Sequence, residues 1–272
     1  MQAKDLFLGK FKRLYLPSIV FSLFYLLLYD DVTKPAYITA YDLLNGVGHM
    51  WFLPMLFWCF VGVWIIEKLK LNPKWAVLLL LVAAIGSFLP LPLRMSFAMF
   101  YLLFFYVGYA IQRYELSLDW LFTKRSAVLA TLLFIILFPS LTLLYEQAGQ
   151  VRDVFFGGNY YVTMVLKWSV KRVLQLICAS AGILMTFSLI GTFLRKRNVA
   201  IVPNWMVQLS ALSFGVYLFQ QFILYGLYYY TNAPTIFGCY WLPWVGFVFT
   251  LISSLFLSGL LRKTTIGRFL IG

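Results

Sequence analysis

Apolar residues fall along this chain in long unbroken runs separated by short polar links, and the runs do not alternate as strands would. Eight runs are predicted as helices: Leu14 to Tyr29, Met50 to Ile66, Trp75 to Leu91, Ser96 to Ile111, Ser126 to Leu144, Val173 to Leu194, Ala211 to Tyr230 and Leu242 to Leu261. A hydrocarbon core of about 30 Å takes about 20 helical residues to cross, and only helices or closed barrels satisfy their backbone inside it. The expected fold is therefore all-α, a polytopic transmembrane helical bundle of about eight spans. No soluble domain, Ser/Pro-rich linker, low-complexity tract or internal repeat interrupts the pattern, so residues 1–272 read as one membrane domain.

Composition supports the class: 62% of residues are hydrophobic, 20% aromatic and only 11% charged, with a mean hydropathy of +0.86. The charge sets the orientation. Sixteen basic residues, from Lys4, Lys10, Lys12 and Arg13 to Arg262, Lys263 and Arg268, share the side of the amino terminus, against Lys34, Arg94, Arg152, Lys167, Lys171 and Arg172 opposite. Basic residues mark the cytoplasmic side, so both termini are expected inside. The links from Asp30 to Gly48, Pro90 to Arg94, Tyr145 to Arg172 and Thr231 to Trp241 are expected outside. The net charge of +13 is then mostly topology; the basic residues form no continuous stripe, which argues against nucleic acid. Lys10, Lys12 and Arg13 before an apolar run resemble a secretory signal, but no A-x-A-like site precedes Asp30-Asp31 and Pro17 lies early in the run, so an uncleaved helix is expected. Cys59 and Cys178 fall within spans and Cys239 near the outer surface, which suggests no disulfide framework.

Three segments resemble the acyltransferase 3 family, polytopic bacterial enzymes that acylate cell-surface glycans. Lys10-Phe11-Lys12-Arg13-Leu14-Tyr15-Leu16-Pro17 is similar to the basic, Pro-ending start of that family's third membrane helix. His49-Met50-Trp51-Phe52-Leu53 resembles the aromatic signature that opens its fourth. Leu212-Ser213-Phe214-Gly215-Val216-Tyr217-Leu218-Phe219-Gln220-Gln221 resembles its late Ser-aromatic-Gly-aliphatic-Tyr-Leu motif. The order is the family's order over essentially the whole chain. The resemblance implies a ten-helix family fold of which Met1 stands just before the third helix. A first helix bearing an Arg and, about three turns later, a catalytic His, and a second with a Ser-Gly-Phe-like element, are thus expected to be encoded upstream or lost. Many relatives place a His after the Tyr-Leu motif, where this chain has Gln220.

The same resemblance implies the activity: an acyl group from cytoplasmic acyl-CoA, acetyl-CoA first among donors, passes to a hydroxyl of an extracytoplasmic saccharide or lipid-linked glycan. No bound cofactor and no metal is implied, the partners being donor, acceptor and membrane lipid, and the location is the bacterial cytoplasmic membrane. His49 is the sole imidazole of the chain, and an imidazole suits general-base work near neutrality. It stands as the catalytic candidate, its alternative being an interfacial residue beside Trp51. Ser210, Ser213, Tyr217 and Gln220 recur at three- and four-residue steps and so share a helix face; Gln220 and Gln221 fall near the bilayer centre, where polar groups line cavities or bind neighbouring helices. Gln220 can hydrogen-bond an acyl carbonyl but cannot act as a base. Trp51, Arg94, Tyr217, Gln220 and Gln221 are the substrate-binding candidates, Arg94 because its fork suits a carboxylate or phosphate, though phospholipid would satisfy it equally.

The link from Tyr145 to Arg172, with Arg152, Asp153 and a Gly157-Gly158-Asn159-Tyr160-Tyr161 turn, is expected either to rim a sugar site or to lie on the membrane, anchored by Trp168 and Lys171. Inner clusters such as Arg195-Lys196-Arg197, Lys124-Arg125 and Lys68-Lys70 would attract an anionic donor or touch anionic lipid. No Walker-type loop, G-x-S-x-G elbow, H-E-x-x-H or Cys/His ligand cluster is present. Two other readings stay open, a catalytically inactive or truncated family member and a carrier or flippase for a lipid-linked glycan, although carriers show Gly/Pro-broken helices in paired halves.

Overall fold

The computed structural model describes residues 3–28, 39–155, 160–196 and 204–271. These residues form helices joined by short turns, without a strand among them. In chain order the helices are α1 (Ala3–Lys10), which runs through a π-helical turn at Phe11–Tyr15 into α2 (Leu16–Leu28); α3 (Ala40–Asn45); α4 (Phe52–Lys68), opened by a 3₁₀ turn at Gly48–Trp51; and α5 (Pro73–Ile85), closed by a 3₁₀ turn at Gly86–Phe88. They continue with α6 (Met95–Arg113), α7 (Lys124–Phe155), α8 (Tyr160–Lys196), α9 (Asn204–Tyr229), α10 (Ala233–Leu261) and α11 (Thr265–Ile271).

Each of the eight predicted spans corresponds to a helix. Among the described residues, seven helical stretches are long and apolar enough to cross a membrane, and the eighth, Pro73–Phe88, is apolar but shorter. Its start is set locally: Asn72 accepts a hydrogen bond from the Lys74 amide and Pro73 occupies the first helical position. Large apolar side chains stay exposed along the spans, among them Leu27, Ile136, Ile190 and Ile252. In water such surface would drive aggregation; facing lipid it is the expected exterior.

The outer links differ from expectation. Most of Tyr145 to Arg172 is helical, because α7 continues to Phe155 and α8 begins at Tyr160. Glu146, Gln147, Arg152 and Asp153 end the hydropathy signal without breaking a helix, since none is a helix breaker of the Gly or Pro kind. Of the expected glycine turn, Gly157, Gly158 and Asn159 lie outside the described residues. The link from Thr231 to Trp241 is likewise mostly helical from Ala233, broken at Gly238, whose φ of 61° and ψ of 179° only glycine adopts readily.

The chain divides into two compact units. The first comprises Met1–Val61, Pro92–Arg94 and Val202–Gly272. Its core joins Leu14, Tyr15 and Phe21 to Met50, Leu53, Phe57 and Val61, and to Leu218 of α9. The second comprises Gly62–Leu91 and Met95–Ile201. It centres on Val63, Ile66, Ala76, Leu80 and Tyr106, with a second cluster of Ala84, Phe100 and Leu176.

Candidate functional site

The first unit builds a tight turn between α3 and α4. Thr39 and Asp42 form a capping box at the start of α3, and bonds from the Thr39 hydroxyl and amide hold the Asp42 carboxyl below its ordinary range, aided by the Arg94 charge. The chain leaves α3 through Gly46, at φ 75°, and Gly48, at φ 56°. Both are needed as glycine. A Cβ on Gly46 would lie 2.6 Å from the Met50 carbonyl group, and one on Gly48 would lie 3.3 Å from the Tyr25 ring.

Side chains from two other segments hold this turn. On α2, Ser22 Oγ accepts from the Val47 amide at 3.0 Å, and Ser18 Oγ donates to the Met50 carbonyl at 3.3 Å. Arg94 donates from Nε to the Asn45 carbonyl at 3.0 Å and from Nη2 to the Gly46 carbonyl at 3.4 Å. Partial burial draws the Arg94 guanidinium down from its ordinary value, opposed by the nearby Tyr41 and Asp42. The fork expected to grip a substrate anion is thus engaged with the backbone three to four residues before His49.

His49 and Tyr217 then clasp one another across 168 residues. His49 Nε2 lies 2.9 Å from the Tyr217 carbonyl oxygen, and the Tyr217 hydroxyl donates to the His49 carbonyl. A carbonyl only accepts, so Nε2 carries the hydrogen and, in the neutral ring, Nδ1 carries the lone pair. Nδ1 is buried and has no hydrogen-bond partner among the described residues. The imidazole makes edge contacts with Tyr217, Tyr25 and Phe222 at centroid distances of 5.2, 6.4 and 6.4 Å. A buried acceptor left unpaired costs about 1–3 kcal/mol. The ring is oriented by a carbonyl on its far nitrogen, the geometry by which a carboxylate orients the histidine of a catalytic triad.

Of the other expected residues, the structure brings Tyr217 to His49. Trp51 ends the 3₁₀ turn half-buried, its ring 6.1 Å from that of Phe52. Gln220 and Gln221 are half-buried on α9 and make no side-chain hydrogen bond among the described residues. The polar face predicted on α9 is not uniform: Ser210 and Ser213 are exposed, and Ser213 donates back to the Ser210 carbonyl at 2.7 Å. Sequence reasoning missed Ser18, Ser22 and Tyr25. Their signal was present as three polar-tipped residues at i, i+4 and i+7 of an apolar helix, all now almost fully buried. Among the described residues, no group of three or more His, Cys, Asp or Glu converges to hold a metal ion.

Seven membrane-length helices among the described residues define a helical membrane protein, whose candidate centre is the imidazole held by Tyr217. A family model described as an acyltransferase domain matches residues 1–263 of the 272, and the chain belongs to that acyltransferase family. Searches of curated proteins and of solved structures each returned no significant match.

Proposed function

We propose that this protein transfers an acyl group from a cytoplasmic acyl-CoA, acetyl-CoA being the first donor to test, to a hydroxyl of an extracytoplasmic saccharide or lipid-linked glycan. It would act in the bacterial cytoplasmic membrane, with both termini inside as the basic asymmetry indicates. The observation that carries the reading is His49 Nδ1, a buried lone pair without a partner among the described residues, on a ring fixed through Nε2. As the acceptor hydroxyl attacks the acyl carbonyl, its proton passes to Nδ1 and the new C–O bond forms. Collapse breaks the C–S bond, and the Nδ1 proton goes to the departing thiolate, which restores the neutral ring. The Tyr217 carbonyl meanwhile faces the transient imidazolium and stabilises it. Gln220 and Gln221, on the same helix as Tyr217, have amide donors for an acyl carbonyl, and the half-buried Trp51 offers a face for a sugar ring. Arg94 serves as a positioning residue through Asn45 and Gly46.

The test is His49→Gln. Glutamine keeps an amide hydrogen for the Tyr217 carbonyl but has no basic nitrogen, so turnover should fall by about 10²- to 10⁴-fold while donor binding changes little. Transfer of labelled acetyl groups to glycan in membranes bearing the chain gives the measurement, and a variant as active as the parent would remove His49 from the chemistry. One observation favours a second reading: the reciprocal His49–Tyr217 bonds also make a structural clasp, as an inactive family member would retain. On that reading the parent chain transfers nothing, and His49→Gln alters only stability.

A further inference from the structure

Among the described residues, the second unit has three buried side-chain polar atoms without a hydrogen-bond partner, on Ser87, Arg172 and Thr192, and the first two lie on neighbouring parts of elements that pack together. On α8, Arg172 Nη1 donates to Gln175 Oε1 at 2.9 Å and the guanidinium carbon stands 5.3 Å from the centre of the Phe100 ring, but Nε is buried without a hydrogen-bond partner among the described residues. Ser87, 1% exposed in the 3₁₀ turn that ends α5, has an equally unpartnered hydroxyl. The two belong to one neighbourhood. Helix α8 packs on the Gly86–Phe88 turn, and Leu176, one helical turn beyond Arg172, clusters with Phe100 and with Ala84, one turn before Ser87.

A guanidinium is always charged, and a desolvated N–H of it without an acceptor is costly. An oxyanion would meet that need, taking two parallel bonds from the Nε/Nη2 edge and a third from the Ser87 hydroxyl. The surroundings decide what bears it. Arg172 lies inside the apolar Met164–Leu194 stretch, with Val173 and Ile177 exposed beside it, so the ligand arrives through lipid and brings its own apolar tail. We propose that Arg172 and Ser87 form a binding site for the phosphate group of a membrane lipid.

The site is tested on the full chain in detergent by titrating lipids and following both binding by native mass spectrometry and the shift of the thermal transition. The probes are phosphatidylglycerol, undecaprenyl phosphate and, as neutral control, diacylglycerol. The parent should bind the phosphate lipids and gain thermal stability from them but not from diacylglycerol. Arg172→Gln should weaken binding by about 10- to 100-fold, as charge-assisted bonds warrant. Arg172→Lys, which keeps the charge and loses the fork, should recover only part of it, and Ser87→Ala should weaken it by less. Binding of both phosphate lipids alike identifies a general headgroup site, and binding of undecaprenyl phosphate alone a site for a lipid-linked glycan; each supports the proposal. Without lipid, Arg172→Gln should melt no lower than the parent, because removing a desolvated charge with an unsatisfied Nε–H offsets the loss of the Gln175 and Phe100 contacts. Variants that bind phosphate lipids as the parent does, or an Arg172→Gln protein destabilised equally with and without lipid, would overturn it.

Discussion

Replacing Tyr217 with phenylalanine tests whether the clasp positions the base or merely fastens α9 to the turn. The substitution deletes one hydroxyl and keeps the ring in contact with His49, 5.2 Å away, and with Phe52, 5.7 Å away. The carbonyl of Tyr217 also survives, so Nε2 keeps its acceptor. What is lost is one of the two donors to the His49 carbonyl, which still accepts from the Phe52 amide. A net hydrogen bond is worth about 0.5–1.5 kcal/mol, and because the carbonyl stays paired the cost remains in that range. For a chain of this size that is a fall in the melting transition of about 2–4 °C per kcal/mol. Turnover should drop further than stability suggests, because a displacement of about 1 Å of a catalytic group can cost about 10²-fold. Acetyl transfer should therefore fall about 10- to 100-fold with the donor's apparent affinity nearly unchanged. The decisive assay is the double-mutant cycle with His49→Gln. If Tyr217 acts through His49, Tyr217→Phe should have almost no further effect once the base is gone. Equal losses in both backgrounds would show that Tyr217 serves turnover by another route and would refute the positioning argument.

Three further outcomes follow from the same turn and from the proposed topology. Gly46→Ala should destabilise the protein by more than the roughly 1–2 kcal/mol of a left-handed backbone alone, because its Cβ would also lie 2.6 Å from the Met50 carbonyl; an unchanged melting transition would contradict the geometry. Arg94→Lys should lower turnover about tenfold by loosening the Asn45–Gly46 backbone while leaving KM for the acceptor in place, whereas a raised KM with intact turnover would mean that Arg94 grips substrate. In a variant lacking Cys59 and Cys178, exposed Cys239 should react with an impermeant thiol reagent on intact cells, and reaction only after permeabilisation would reverse the orientation.

The spans were legible because a helix that faces lipid must be apolar over nearly its whole length, and that demand leaves a mark in the sequence alone. The helical parts of Tyr145 to Arg172 were not, since hydropathy reports where lipid ends and not where a helix ends. Pro73–Phe88 was over-read by the same rule, its apolar run continuing to Leu91 after the helix has stopped at Ile85 and closed with a 3₁₀ turn. At the candidate site, His49 and Tyr217 could each be singled out by type and motif, but their pairing spans 168 residues and no local period encodes it. Arg94 was flagged for its chemistry and placed by its backbone: with φ at 61°, in a turn next to α6, it reaches the carbonyls at the end of α3. Ser18 and Ser22 looked like ordinary small residues of an apolar helix until the turn they hold was in view.

Helices α7 and α8, of 32 and 37 residues, are about 48 and 55 Å long at 1.5 Å per residue, against a hydrocarbon core of about 30 Å. Packed side by side, they act as a lever arm. A rod of that length converts a tilt of about 10° into a sweep of about 10 Å at its far end, so small changes in bilayer thickness around the second unit are magnified where α7 ends and α8 begins. Pro139, which has no amide hydrogen to give within α7, is the point in one of the two members where bending costs least.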